Sequence, residues 1–109
     1  MSKPEASESW VEIVGRVTEA SKALLGEAVV AVFGGVTSGN LTAASDVDIL
    51  LVSKRLPRTA RGRAELKEAL EKEAGLPPIN PVEIHLATPE EAERNPIYRE
   101  VLRNHAQES

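Results

Sequence analysis

The 109-residue sequence contains no cysteine, which excludes disulfide bonds and thiolate metal sites. No apolar run approaches the length of a membrane span, and there is no internal repeat or low-complexity segment. Surplus positive charge is also lacking. The formal net charge is −4, and the 13 basic residues are spread among 17 acidic ones, so there is no electrostatic footprint for duplex nucleic acid and direct nucleic-acid binding is not expected. The first nine residues, with Lys3, Glu5 and Glu8, have no apolar centre of the kind a targeting segment needs, so the expected location is the cytoplasm. A chain of this length buries one modest core. The expected organisation is therefore a single domain over 1–109, with polar tails at 1–8 and 104–109 and no separate substrate-recognition domain.

The apolar pattern predicts helix, strand, loop, strand, helix, strand, helix. Trp10, Ile13, Val14, Val17, Ala20, Leu24 and Leu25 recur at helical spacing, so residues 9–25 read as an amphipathic helix anchored by Trp10 and ended by Gly26. Residues 28–33 and 47–52 have the branched, apolar composition of buried strands. Pro57 and Thr59 open a charged helix that runs to about Ala74 and is closed by Gly75. Prolines at 77, 78 and 81 make a stiff connector, after which 81–86 reads as a third short strand. Thr88, Pro89 and Glu91 have the spacing of an N-cap, a first-position proline and a capping-box acid. A last turn or two is expected at 96–103. Two strands joined by a helical crossover are expected to be parallel, and the first pair is joined by a loop, so the small sheet should be mixed.

Residues 33–48, FGGVTSGNLTAASDVD, carry the chemistry. Side chains i and i+2 on a strand point the same way, so Asp46 and Asp48 would present two carboxylates on one face. A hard cation such as Mg²⁺ prefers carboxylate and phosphate oxygens. Gly34 and Gly35, directly after a strand, let backbone N–H groups approach a phosphate without a Cβ in the way. Each feature alone is uninformative, since a Gly-Gly turn is usually only a turn and Asp-X-Asp is common on surfaces. Their joint spacing, together with Glu83 alternating against apolar neighbours on the third strand, is more specific. His85, two residues beyond Glu83, shares its face, and an ordinary half-exposed histidine is the simpler reading than a metal ligand. Tyr98 reads as a ring packed between Ile97 and Val101.

With these residues the chain resembles the minimal nucleotidyltransferases of the DNA polymerase beta-like superfamily, whose signature is Gly-Ser, about ten residues, Asp-X-Asp, and a later strand bearing a third acid. Gly34 matches the first glycine, Gly35 stands where serine is usual, Asp46 and Asp48 match the acidic pair, and Glu83 matches the third acid. The resemblance implies an α/β (α+β) fold with a three-stranded sheet flanked by helices. It also implies Mg²⁺, with two ions roughly 4 Å apart, bound by Asp46, Asp48 and Glu83, and a nucleoside triphosphate, by expectation ATP, whose phosphates lie on Gly34, Gly35 and Ser38. Small members often read Gly-Ser-Arg-Ala-Arg-Gly across the loop, where this chain reads Gly34-Gly35-Val36-Thr37-Ser38-Gly39. Lys54, Arg55 and Arg58 are the nearest cations in sequence to replace the missing arginines, although a solvated basic loop is their simpler reading.

Two functions follow as expectations. The first, implied by the resemblance, is transfer of a nucleoside monophosphate, by expectation AMP, to a hydroxyl on a partner protein, with the chain as antitoxin to a HEPN-domain toxin. The second is a non-catalytic or weakly nucleotide-binding interaction subunit of a HEPN-type complex. A drug-modifying nucleotidylation fits less well, because so short a chain offers little wall for a substrate pocket.

Overall fold

The computed structural model describes residues 10–33, 47–76 and 82–108. Its elements, in chain order, are α1 (Trp10–Leu25), β1 (Val29–Phe33), β2 (Val47–Val52), α2 (Ala60–Glu73), β3 (Val82–Ala87), α3 (Pro89–Arg94) and α4 (Pro96–Glu108). The sheet is mixed, as the connections predict. β1 and β2 are antiparallel, with Val29 opposite Val52 and Phe33 opposite Asp48. β2 and β3 are parallel, with Val47 opposite Val82 and Asp48 opposite Glu83. β2 is the central strand, and Ile49, Leu50 and Leu51 are completely buried. This is why its sequence shows an unbroken apolar run rather than alternation.

Helices cover both faces of the sheet. Ile49, Leu51 and Ile84 pack with Val17 and Ala20 of α1, Leu70 of α2 and Ala74 at the C-cap of α2. Ala31, Leu50, Val52 and Ala87 face the other way and pack with Ala92 of α3 and Val101 of α4, with Phe33, Tyr98 and Leu102 at the margin. The period of two along each strand assigns alternate residues to the two layers.

Local chemistry sets the helix ends. α1 closes at Gly26, whose φ of 81° is the left-handed conformation that glycine adopts without strain. In α2, Thr59 Oγ1 accepts from the Gly62 N–H at 2.9 Å, and the far end is a Schellman closure. There the Gly75 N–H bonds Lys72 O at 3.1 Å and the Leu76 N–H bonds Glu71 O at 2.9 Å. Arg16 Nε, donating to Ala74 O at 2.9 Å, ties α1 to that end. The capping box expected at Thr88 is present in both directions. Thr88 Oγ1 accepts from the Glu91 N–H at 3.2 Å and the Thr88 N–H donates to Glu91 Oε1 at 3.0 Å.

Three details differ from the sequence reading. Leu24 lies within the α1 stripe yet is 42% exposed, in the last turn of the helix. Trp10 opens α1, but its side chain lies outside the described residues. The last helix continues to Glu108 instead of ending near Arg103. Val101 docks it against the sheet, and Asn104 is exposed to solvent.

Candidate functional site

Phe33, Asp48 and Glu83 lie abreast across the three strands, at the end of the sheet where the chain leaves β1 for the glycine pair. Asp48 and Glu83 are register partners, so their side chains share one face, and neighbouring strands are about 4.8 Å apart. Glu83 is exposed, while the Asp48 side chain is 27% exposed. Two carboxylates in this relation offer hard oxygen donors to one volume, which suits a divalent cation in donor type. Among the described residues no group of three or more potential ligands could hold a metal. The third predicted acid, Asp46, lies outside the described residues, as do Gly34, Gly35 and Ser38. Of the predicted site, the structure therefore brings Asp48 and Glu83 together.

It adds an array that the sequence reading treated as incidental. His85 Nε2 is 3.2 Å from Asp48 Oδ1, and His85 Nδ1 is 3.4 Å from the Tyr98 hydroxyl. The three rings cluster, with the Phe33 and His85 centroids 5.1 Å apart and Tyr98 edge-on to Phe33 at 6.3 Å. Tyr98 reaches this place because Asn95 caps the first turn of α4, its Oδ1 accepting from the N–H groups of Ile97 and Tyr98 at 2.9 and 3.2 Å. Asn95-Pro96, a cap residue before a first-position proline, was the sequence signal for that helix start. His85 is half-exposed, as its sequence setting suggests, and in addition it contacts both Asp48 and Tyr98.

The cations nearest in sequence to the loop do not lie at the acid end. From Asp48 to the end of β2 at Val52 the chain is extended, and four residues at about 3.3 Å each put the start of the basic segment about 13 Å or more from Asp48. There Lys54, Arg58, Arg63 and Arg94 line a cleft of about 540 Å³. Arg63 is already engaged by both oxygens of Glu91, at 2.9 and 3.2 Å. The Arg63 hydrogen bonds, and then the backbone N–H of Thr88, hold the Glu91 carboxyl below its ordinary value of 4.5. Lys54, Arg55 and Arg58 thus serve the opposite end of the sheet.

The family-model comparison matches residues 14–107 to the nucleotidyltransferase domain. The chain belongs to this family. Neither the curated proteins nor the solved structures yield a match. Membership agrees with the mixed α+β sheet and makes the protein a transferase of the nucleotidyl-transfer type, with a nucleoside triphosphate as substrate. Nucleotidyltransferase domains generally use divalent metal, and the donor types of Asp48 and Glu83 fit that requirement. No described helix of this nucleotidyltransferase is long and apolar enough to cross a membrane.

Proposed function

We propose that the chain acts as one nucleotidyltransferase domain in the cytoplasm, moving AMP from ATP to a hydroxyl of a partner protein, a HEPN-domain toxin to which it is the antitoxin. The observation that carries this reading is the register match of Asp48 with Glu83 beside Phe33, the residue that leads into the glycine pair. In this reading Asp46, Asp48 and Glu83 hold two Mg²⁺ ions, and the backbone at Gly34 and Gly35, with the Ser38 hydroxyl, receives the triphosphate. The bound ions supply charge neutralisation to the triphosphate and make the acceptor hydroxyl easier to deprotonate. The hydroxyl oxygen attacks the α-phosphorus, the bond to the α–β bridging oxygen breaks, pyrophosphate leaves with that electron pair, and Glu83 helps remove the hydroxyl proton. The partner is taken from the family resemblance, and a guanidinium from it would complete a loop that has none between Gly34 and Gly39.

The test is transfer of label from α-labelled ATP into extract of the source cells and into a purified HEPN partner. The wild type is compared with the Asp46→Asn, Asp48→Asn double variant. A labelled band made only by the wild type supports the reading, and its mass names the acceptor. No label from any nucleoside triphosphate contradicts it and favours the interaction-subunit function.

A further inference from the structure

The acid end of the sheet contains two side chains that the proposed chemistry leaves without a role, His85 and Tyr98. Their hydrogen-bonding capacities fix a direction. A carboxylate can only accept, so the 3.2 Å contact requires His85 Nε2–H to donate to Asp48 Oδ1. In the neutral imidazole this leaves Nδ1 as an acceptor, and the group 3.4 Å from it is the Tyr98 hydroxyl, which can donate. Each of the three groups then has a compatible partner: Tyr98 O–H to His85 Nδ1, and His85 Nε2–H to Asp48. The ring is also held mechanically. Phe33 lies against it at 5.1 Å and Tyr98 at 6.2 Å, and the His85 side chain is 28% exposed. The chain is thus anchored on β2, β3 and α4, three separate elements.

We infer that Tyr98 and His85 are positioning residues for Asp48: they occupy one carboxylate oxygen, fix the rotamer and leave the other oxygen for a divalent cation. The inference rests on the reading of Asp48 as a metal ligand. A carboxylate at the end of a strand otherwise turns about its side-chain bonds, and that freedom is lost when a cation binds. A carboxylate already oriented loses less on binding, so the array raises metal affinity without touching the metal.

The experiment is Mn²⁺ binding, read from the electron paramagnetic resonance signal of unbound Mn²⁺, in the wild type, His85→Phe, Tyr98→Phe, the double variant and Asp48→Asn. Phenylalanine at 85 keeps a ring against Phe33 and removes both nitrogens; phenylalanine at 98 removes only the hydroxyl. The expected loss of affinity is about 10- to 100-fold for His85→Phe and a smaller one for Tyr98→Phe. The double variant should be no weaker than His85→Phe alone, because Tyr98 acts through His85. A merely structural role would lower the melting temperature in EDTA without this pattern. Wild-type affinity in a folded His85→Phe protein, or losses that multiply in the double variant, overturns the inference. If His85→Phe does not fold, Tyr98→Phe decides alone, and binding equal to wild type overturns the inference. If the wild type takes up no Mn²⁺, or Asp48→Asn binds it equally well, the metal reading of Asp48 fails and the inference with it. If Asp48→Asn loses binding and His85→Phe does not, only the inference fails.

Discussion

Replacing Asp48 with asparagine should stabilise the protein without metal and destabilise it relative to wild type when Mg²⁺ is present. Asp48 and Glu83 are opposed in register on adjacent strands, and strands are about 4.8 Å apart, so a carboxylate separation of about 5 Å is the expected one. Two like charges at that distance repel by roughly 0.8 kcal/mol at the dielectric of water and by roughly 3 kcal/mol at an effective dielectric of 20. Glu83 is exposed and Asp48 is 27% exposed, which places the repulsion near the lower figure, about 1 kcal/mol. Asparagine keeps an oxygen that can accept from His85 Nε2, so the variant removes the charge and retains the contact. The metal-free variant should therefore melt about 4 °C above wild type. Wild type gains about 1.4 kcal/mol at a Mg²⁺ concentration of 10 times Kd, and the variant gains little, so the order of melting temperatures reverses. Thermal unfolding followed by circular dichroism, in EDTA and in Mg²⁺, measures both halves. A variant less stable than wild type in EDTA, with equal Mg²⁺ shifts in the two proteins, would refute the reasoning.

Two glycines in helices should respond to alanine with opposite signs. Gly15 in α1 has open space where a Cβ would sit, so Gly15→Ala gains about 0.5–1 kcal/mol. Gly62 in α2 would place a Cβ 2.7 Å from Pro57 Cβ and 2.9 Å from Thr59 Oγ1, so overpacking outweighs propensity and Gly62→Ala costs about 1–3 kcal/mol; equal signs in urea unfolding would contradict both. Leu50, completely buried among Ala31, Val52 and Ala87, should cost about 2–5 kcal/mol as Leu50→Ala, and a loss below about 1 kcal/mol would mean the strand is not central. The Glu91 carboxyl is held low by Arg63 and Thr88. Its contribution is therefore complete above its ordinary value of 4.5 and is lost as pH falls through the lower folded value. Because the Glu91 side chain is 48% exposed, that contribution should be no more than about 1 kcal/mol. Glu91→Gln should flatten this part of the acid limb of the stability profile, and an unchanged limb would count against the Arg63 pairing.

The strands were legible because each is a short branched run bounded by glycine, proline or a charged turn. The mixed topology was legible because a helix separates the second and third of them. Thr88, Pro89 and Glu91 carry a spacing with a single physical meaning, and the capping box is where they put it. What stayed hidden depends on three-dimensional register. Nothing in the sequence says that Asp48 pairs with Glu83 rather than with a neighbour two residues away, and without that pairing the contact from His85 to Asp48 cannot be seen. Lys54, Arg55 and Arg58 are exposed, in line with the solvated basic loop that is their simpler reading; they are near Asp48 in sequence only, because β2 is extended and carries its two ends far apart. The polar residues Asn104, His105 and Gln107 carry no apolar stripe that would predict the continuation of α4 to Glu108.

The central claim is nucleotidyl transfer that depends on the acids at this end of the sheet. It is tested most directly by supplying the protein and its acceptor with Mg²⁺ and ATP labelled at either the α- or the γ-phosphate, in wild type, Asp48→Asn and Glu83→Gln. The account predicts that α-label alone enters the acceptor, in step with pyrophosphate release, and that each variant loses it. Transfer of γ-label, or α-label undiminished in either variant, would contradict it.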